Sequence, residues 1–255
     1  MAENQLLATK KLFCLRAGVA VQLSISPDYR RLTKDLDVYA FCKPEIFEQF
    51  LSRYIEARKL HGDIFTVDSR DFVHESLSPP IREYQVKQAG VGEVLVQVVY
   101  SSVLPETAVA PFLKGTSLEV LARSELVAEK LLKFSSHSVH RHDSRLLGSR
   151  AKHLSDLFFL LEQASPPSAV ACRKACLRVL ERERLIEGWA PDVENLLVDV
   201  TGTLQSFLND LPAPEPQWKS YFPPGPNELS LPGFLAFAAS YSLNWVKHLR
   251  REEHN

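Results

Sequence analysis

Long apolar runs, an excess of one charge and paired cysteines are all missing from this sequence of 255 residues. No run approaches the roughly 18 apolar residues of a membrane-spanning helix, and the first residues include no long apolar stretch typical of signal peptides. The 30 basic and 31 acidic side chains nearly cancel, so overall charge gives no sign of a nucleic-acid partner, which a local patch would have to hold. These absences predict a soluble, cytoplasmic protein with no membrane partner.

Cysteines are few, and none of the four belongs to a CxxC pair. Cys14 and Cys42 lie in apolar, strand-like runs, whereas Cys172 and Cys176 lie four residues apart on a predicted helix. These spacings do not suit a zinc finger or a redox motif. We therefore expect reduced, buried thiols, as in a reducing compartment.

The sequence does contain enough apolar residues, 45%, for a packed core, and they follow two successive patterns. Strand-like and helix-like segments alternate up to about residue 115, where helical periodicity begins with SLEVLARSELVAEKLLKF. This order predicts an α+β fold: a small mixed-sheet core over residues 1–115, a helical region over 116–211 that completes a cleft, and a Pro-rich segment with a C-terminal helix over 212–255.

Two carboxylates mark the first candidate site. Asp35 and Asp37 lie in DLDVYAF, which has the pattern of a strand, so both side chains should project from one face. Like charges at one point are costly unless a cation offsets them, and oxygen ligands alone suit Mg²⁺, which also binds phosphate oxygens. The alternative is a solvated strand edge with ordinary surface charges.

The residues that precede this pair could bind phosphate. Gly18 stands where a strand gives way to a helix, and the free N–H groups of a helix start attract phosphate. Arg30 and Arg31 could neutralise phosphate charge. A tight strand-to-helix turn and a solvated surface turn are the alternative interpretations.

The segment LFCLRAGVAVQLSISPDYRRLTKDLDVYAF, residues 12–41, resembles the first motif of AbiEii/AbiGii-type abortive-infection nucleotidyltransferases. That motif has a strand, a helix start of small and hydroxyl residues, an Arg, a Ser or Thr, and an acidic DLD strand. The positions that match it are Gly18, Arg31, Thr33, Asp35, Leu36 and Asp37. Ala17 and Val19 depart from it, because the family has Gly-Gly-Thr or Gly-Ser there, and Val19 removes a hydroxyl that would bond phosphate.

Two later segments resemble the same family, so that the resemblance covers roughly residues 10–165. SELVAEKLLKF is similar to the family's lysine-bearing helix, with Lys130 as the lysine. SRAKHLSDLFFLLE is similar to its R-D-x-x-D-L segment, in which Asp156 matches the second acid, Lys152 stands for the arginine and His153 replaces the first acid. Without the resemblance, Lys130 would be interpreted as a lysine that extends from an amphipathic helix to solvent.

The resemblance implies a nucleotidyltransferase-like core, which binds a nucleoside triphosphate with Mg²⁺ and transfers the nucleotidyl group to an acceptor such as tRNA. It further implies a toxin-like role beside an antitoxin protein. The catalytic residues that it implies are Asp35, Asp37, Lys130 and Asp156. The nucleotide-binding residues that it implies are Gly18, Arg31, Thr33 and Lys152. The strand carboxylates Asp35 and Asp37 would also hold the metal.

One expected feature, a third carboxylate, is missing. Enzymes of this superfamily usually place it on a neighbouring strand, which here is EVLVQVVY, and the central polar residue of that strand is Gln97. Glutamine is a neutral ligand and cannot act as a general base. Glu93 shares the face of Gln97 and is a more distant substitute.

A second interpretation is a degenerate pseudoenzyme of the same fold that acts by binding nucleotide or protein. Three departures from the family pattern keep this interpretation open: Gln97, Val19 and His153. A plain nucleic-acid-binding module is a third interpretation, disfavoured by the near-zero net charge and by the lack of a standard binding motif.

Overall fold

A computed structural model describes most of the chain in nine stretches. They are residues 12–27, 35–59, 65–72, 81–111, 117–135, 146–163, 165–187, 190–211 and 230–251. The strands in them are β1 (Phe13–Leu15), β2 (Asp35–Ala40), β3 (Phe65–Phe72), β4 (Ile81–Gln88), β5 (Gly92–Tyr100), β6 (Thr107–Pro111) and β7 (Ser117–Leu121). The helices are α1 (Ala17–Ser24), α2 (Pro44–Lys59), α3 (Arg123–Phe134), α4 (Leu146–Leu161), α5 (Ala169–Glu187), α6 (Val193–Asn209) and α7 (Leu231–Arg251).

All the described strands join in one mixed sheet with the order β3-β4-β5-β2-β1-β7-β6. β2 runs parallel to β5 and β1 runs parallel to β7, while the other neighbours are antiparallel. Gly90 and Gly92, with φ of 75° and 147°, form the hairpin between β4 and β5, where the backbone favours glycine. The mixed sheet and the helices that follow it confirm the predicted α+β fold.

One predicted helix is wrong in its first part. Residues 117–121, which the spacing of apolar residues assigned to a helix, form β7 and pair with β1 and β6. The helix α3 begins only at Arg123. Pairing with strands that are remote in sequence decides the conformation of such a short apolar run, and local spacing cannot reveal that pairing.

The described residues fall into two compact units. The sheet unit contains residues 12–20, 35–59, 65–72, 81–111, 117–121 and 182–187. The helical unit contains residues 21–27, 122–135, 146–163, 165–181, 190–211 and 230–251. The domain boundaries expected near residues 115 and 211 stay predictions.

In the sheet unit, α2 covers one face of the sheet. Pro44 begins the helix, where a proline has no intrahelical hydrogen bond to lose, and Phe47 is buried. The Phe47 ring meets the rings of Phe13, Tyr84 and Tyr100, with centroids 6.3, 5.5 and 6.4 Å apart. The hydroxyls of Tyr84 and Tyr100 hydrogen-bond at 3.0 Å. This packing fixes which residues of each strand face α2, and therefore which face the other side of the sheet.

In the helical unit, α3 is enclosed on nearly every side, with ten buried residues among its 12. Phe134 of α3 meets Phe207 of α6 edge to face at 6.0 Å, and α6 begins at an Asp192 cap that accepts from the Asn195 N–H at 2.7 Å. Other residues meet such a helix on nearly every side, and its charged residues Glu125, Glu129 and Lys130 are buried with the apolar ones, so amphipathic spacing is a poor guide to its exposure. No helix in the described part of the chain is both long and apolar enough to cross a bilayer.

The four cysteines are free thiols. Cys14, Cys172 and Cys176 are buried, whereas Cys42 is only half-buried. Burial raises the pKa of Cys176 to about 12 and also raises the pKa values of Cys172 and Cys42. The expectation of reduced, buried thiols is therefore confirmed for three cysteines and holds only in part for Cys42.

Candidate active site

Asp35 and Asp37 lie on β2, the middle strand of the sheet. Phe13 pairs with Ala40 and packs on α2, so the even-numbered residues of β2 face that helix. The odd-numbered residues face the other side, where Asp35 is exposed and Asp37 half-buried. The predicted strand and the shared face of the two carboxylates are confirmed, while their catalytic and metal-binding roles stay predictions.

Gln97 lies directly beside Asp37 on the parallel neighbour β5. Adjacent strands are about 4.8 Å apart, so the Gln97 amide belongs to the immediate surroundings of the carboxylate. The strand predicted to carry a third acid is therefore adjacent to β2, and the residue that it places directly beside Asp37 is neutral.

An acid that the sequence analysis missed lies one strand further. Glu83 of β4 pairs with Gln97, and Gln97 Nε2 donates to Glu83 Oε1 at 2.6 Å. Glu83 is 8% exposed and Gln97 is half-buried, so this hydrogen bond is partly shielded from water. The row Asp37, Gln97, Glu83 thus crosses three strands on one face. The sequence of the hairpin could have revealed this acid. Counting back along both strands from the Gln88–Gly92 pair at the turn places Glu83 opposite Gln97.

Glu93, the acid considered as a distant substitute, is placed differently. It is exposed, accepts from Gln85 Nε2 at 2.9 Å and lies 3.9 Å from Lys87 Nζ. It precedes Gln97 by four residues, which is about 13 Å along a strand. Glu83, and not Glu93, is the acid in contact with Gln97.

Two arginines surround Tyr39, which shares the face of the carboxylates. The guanidinium carbons of Arg16 and Arg182 lie 4.2 and 5.0 Å from the Tyr39 ring centroid, within cation–π range. Arg16 follows β1, and its N–H donates to the Asp37 carbonyl at 2.9 Å. Arg182, 1% exposed, comes from the last part of α5. Neither arginine was predicted: Arg16 lies next to the candidate helix start, whereas no local pattern singles out Arg182.

The start of α1 has a strained backbone. Ala17, its first residue, has φ of 48°, in the left-handed region that costs a side chain about 1–2 kcal/mol. The similar motif has glycine at this position, and glycine takes such a backbone without that penalty. Gly18 is the next residue of α1. Arg31 and Thr33, predicted to bind the nucleotide, lie outside the described residues.

Lys130 and Asp156 meet in the helical unit. Lys130 Nζ of α3 lies 2.8 Å from Asp156 Oδ2 of α4, and the two side chains are 4% and 2% exposed. The alternative interpretation of Lys130 as a lysine that extends to solvent is therefore wrong. Asp35 and Asp37 belong to the sheet unit, so the prediction that all four line one cleft stays a prediction.

His153 lies on α4 close to this ion pair. Burial, and then the positive charge of Lys130, hold the pKa of His153 well below its usual value, and the opposing attraction of Asp156 is smaller. The imidazole is therefore neutral at pH 7. Lys152, predicted to bind the nucleotide, is half-buried on the same helix.

The donor set fits a magnesium ion that arrives with a triphosphate. In the described stretches, no group of three or more His, Cys, Asp or Glu side chains is arranged to hold a metal. Mg²⁺ in nucleotide enzymes commonly uses one or two carboxylates and takes its other ligands from water and phosphate. Asp35 and Asp37 supply those carboxylates, so a third acidic ligand is not required for a fit.

Comparisons with known proteins give a family match over most of the chain. The family model described as "Nucleotidyl transferase AbiEii toxin, Type IV TA system" matches residues 18–240. It extends well beyond the segments near residues 10–165 that carried the resemblance in sequence. No curated protein matches the chain.

Among solved structures, an antigenic nucleotidyltransferase-like protein from Paracoccidioides brasiliensis is similar at 14% identity, with a TM-score of 0.40. The similarity covers 78% of this chain and 88% of that one. At this TM-score the likeness supports no conclusion about function.

Proposed function

We propose that this chain, which belongs to the AbiEii family of nucleotidyl transferase toxins of type IV toxin–antitoxin systems, transfers a nucleotidyl group from a Mg²⁺-bound nucleoside triphosphate to an RNA acceptor such as tRNA. The observation that carries this proposal is the pair Asp35 and Asp37, which project from one face of the central strand with the Gln97 amide beside them.

The two carboxylates would bind and orient the substrate through the ion. When bound, Mg²⁺ supplies charge neutralisation and a template for the attacking and leaving oxygens. Asp35 is exposed and so can receive the ion, while Asp37 is half-buried and held between two hydrogen-bonded strands. Arg16 and Arg182, on the same face, would offset the negative charge of the triphosphate.

Lys130 and Asp156 have a separate proposed role. A buried carboxylate 2.8 Å from the ammonium fixes the position of Lys130. A preorganised cation would stabilise charge that develops on the transferring phosphate. The neutral His153 beside them adds no competing positive charge at pH 7.

The family's toxin–antitoxin assignment supports an antitoxin protein as the cellular partner. A second candidate function, nucleotide binding without transfer, is favoured by the neutral Gln97 beside Asp37. Without a general base, the acceptor hydroxyl would be activated less well, by a factor of about 10²–10⁴ in rate. We therefore expect detectable triphosphate binding with slow transfer.

A labelling experiment tests the proposal. The protein is incubated with each α-labelled nucleoside triphosphate, Mg²⁺ and total RNA, and label on the RNA is measured. Label should appear with the wild type and be lost with Asp35→Asn/Asp37→Asn. Asp68→Asn is the matched control, because it removes an exposed carboxylate from β3. Label that survives in the double variant, or that disappears equally in the control, would rule out this site.

A further inference from the structure

Glu83 is the largely buried acid of the sheet unit that the proposed function leaves without a role. It is 8% exposed and accepts from Gln97 Nε2 at 2.6 Å. Burying a carboxylate is costly unless it is hydrogen-bonded, so this contact is part of what keeps Glu83 in place. Gln97 in turn lies beside Asp37.

The chemistry of the two side chains fixes the orientation of the Gln97 amide. An ionised carboxylate can only accept hydrogen bonds, so the NH₂ end of Gln97 must face Glu83. The carbonyl oxygen of Gln97 then lies on the side away from Glu83. Because Glu83 and Asp37 flank Gln97 on opposite sides, that is the side toward Asp37. A free glutamine would present either end of its amide there.

We propose that Gln97 is the third oxygen ligand beside Asp35 and Asp37, and that Glu83 is a positioning residue that aims its carbonyl oxygen at the ion. The third carboxylate of the site is thus displaced by one strand and acts through the glutamine between them. This inference rests on the proposed function, because it concerns the ion that accompanies the triphosphate. Carbonyl oxygens are ordinary ligands of hard cations, so the neutral amide is chemically suitable.

The neighbouring pair Gln85 and Glu93 provides a matched control. It is a hydrogen bond of the same type between the same two strands, with Gln85 Nε2 donating to Glu93 Oε2 at 2.9 Å. Gln85 lies opposite Leu95, on the same face as Glu83. The pair is exposed, and its glutamine is on β4, one strand further from Asp37 than Gln97.

The test measures binding and does not depend on turnover. Isothermal titration calorimetry with Mg²⁺ and the α,β-methylene analogues of the four nucleoside triphosphates identifies the analogue that the wild type binds most tightly. Gln97→Leu and Glu83→Gln should each weaken its Mg²⁺-dependent binding roughly 10–100-fold, the usual effect of losing a residue that supports a metal site. Gln85→Leu should leave it unchanged.

The exchange Glu83→Gln/Gln97→Glu separates positioning from folding. It keeps net charge and one donor–acceptor pair, and it moves the carboxylate directly beside Asp37. Binding should recover from the level of Glu83→Gln and become tighter than in the wild type. Thermal unfolding of each variant shows whether it is folded. If Gln97→Leu proves unstable, the exchanged pair still tests the inference, because it retains a hydrogen bond between the two side chains.

The outcomes are distinct. If wild-type binding is lost in Asp35→Asn/Asp37→Asn but unchanged in Gln97→Leu, the proposed function stands and this inference is overturned. Equal losses in Gln97→Leu and Gln85→Leu, or no recovery in the exchanged pair, overturn it as well. A folded wild type that binds none of the analogues overturns the proposed function and this inference with it.

Discussion

Replacing Lys130 with methionine tests whether the buried ion pair holds the helical unit together. Methionine keeps the length and apolar stem of the side chain but removes the ammonium, which leaves Asp156 Oδ2 without the cation now 2.8 Å away. Both side chains are almost fully shielded, at 4% and 2% exposure, so water cannot replace the lost partner without structural change.

The expected cost follows from this burial. Removing one partner of a buried pair typically destabilises a protein by about 3–5 kcal/mol, a large part of the ~5–15 kcal/mol that keeps a domain folded. For a chain of this size the melting temperature should fall by roughly 6–20 °C. Replacing both partners, as in Lys130→Met/Asp156→Leu, should recover most of the loss, because apolar side chains often substitute for a buried ion pair at little net cost.

Urea unfolding followed by far-UV circular dichroism measures these changes in a double-mutant cycle. Lys87→Met is the matched control, since Lys87 and Asp68 form an exposed lysine–aspartate pair at 3.9 Å with side chains 45% and 71% exposed. Its loss should cost less than about 1 kcal/mol. The reasoning fails if Lys130→Met is no more destabilising than this control, or if the double replacement costs as much as the two single ones combined. Under the proposed function, the double variant should regain stability and still transfer no nucleotide.

Two further predictions concern the helix start and the histidine. Ala17→Gly should raise the free energy of unfolding by up to about 1.5 kcal/mol, because it relieves about 1–2 kcal/mol of left-handed strain at an entropic cost of ~0.5–1 kcal/mol. Ala17→Val should lower the free energy of unfolding, and a lower urea midpoint for the glycine variant would contradict the strain at φ 48°. The pKa of His153 in the folded chain lies well below the usual histidine value of 6.5. As the pH falls below 6.5, the unfolded chain therefore takes up a proton at His153 before the folded chain does, and the free energy of unfolding should decline. His153→Asn should flatten the decline between pH 6.5 and 5, and an unchanged slope would contradict the assignment.

The sequence predicted the strand of Asp35 and Asp37 because its signal is local: alternation alone sets the face of a strand. Gln97 was expected beside them because the superfamily that the sequence resembles usually has its third carboxylate on a neighbouring strand, for which EVLVQVVY was the natural candidate; the pairing of Asp37 with Gln97 agrees with that expectation. Glu83 could have been found by the same turn, since the register of a hairpin fixes every later pair. Glu83 lies one strand beyond the adjacent one and was not predicted.

Other features depend on contacts that no local pattern contains. Residues 117–121 become a strand because β1 and β6 pair with them. Lys130 is buried because α3 is enclosed by the helical unit, although its spacing also suits a surface helix. Arg182 joins Tyr39 from a helix that is distant in sequence. In each case tertiary contacts outweigh the local preference.

The strand order also has a consequence for synthesis of the chain. β2 pairs on one side with β5, which ends at Tyr100, and on the other side with β1. β1 in turn pairs with β7, which ends at Leu121. At about 5–20 residues per second, a ribosome needs roughly 4–17 s to extend the chain from Asp37 to Leu121. During that time the two acids have been synthesised, but the strands that orient them are incomplete. A chain built in this way cannot assemble its carboxylate site while it is still short and nascent.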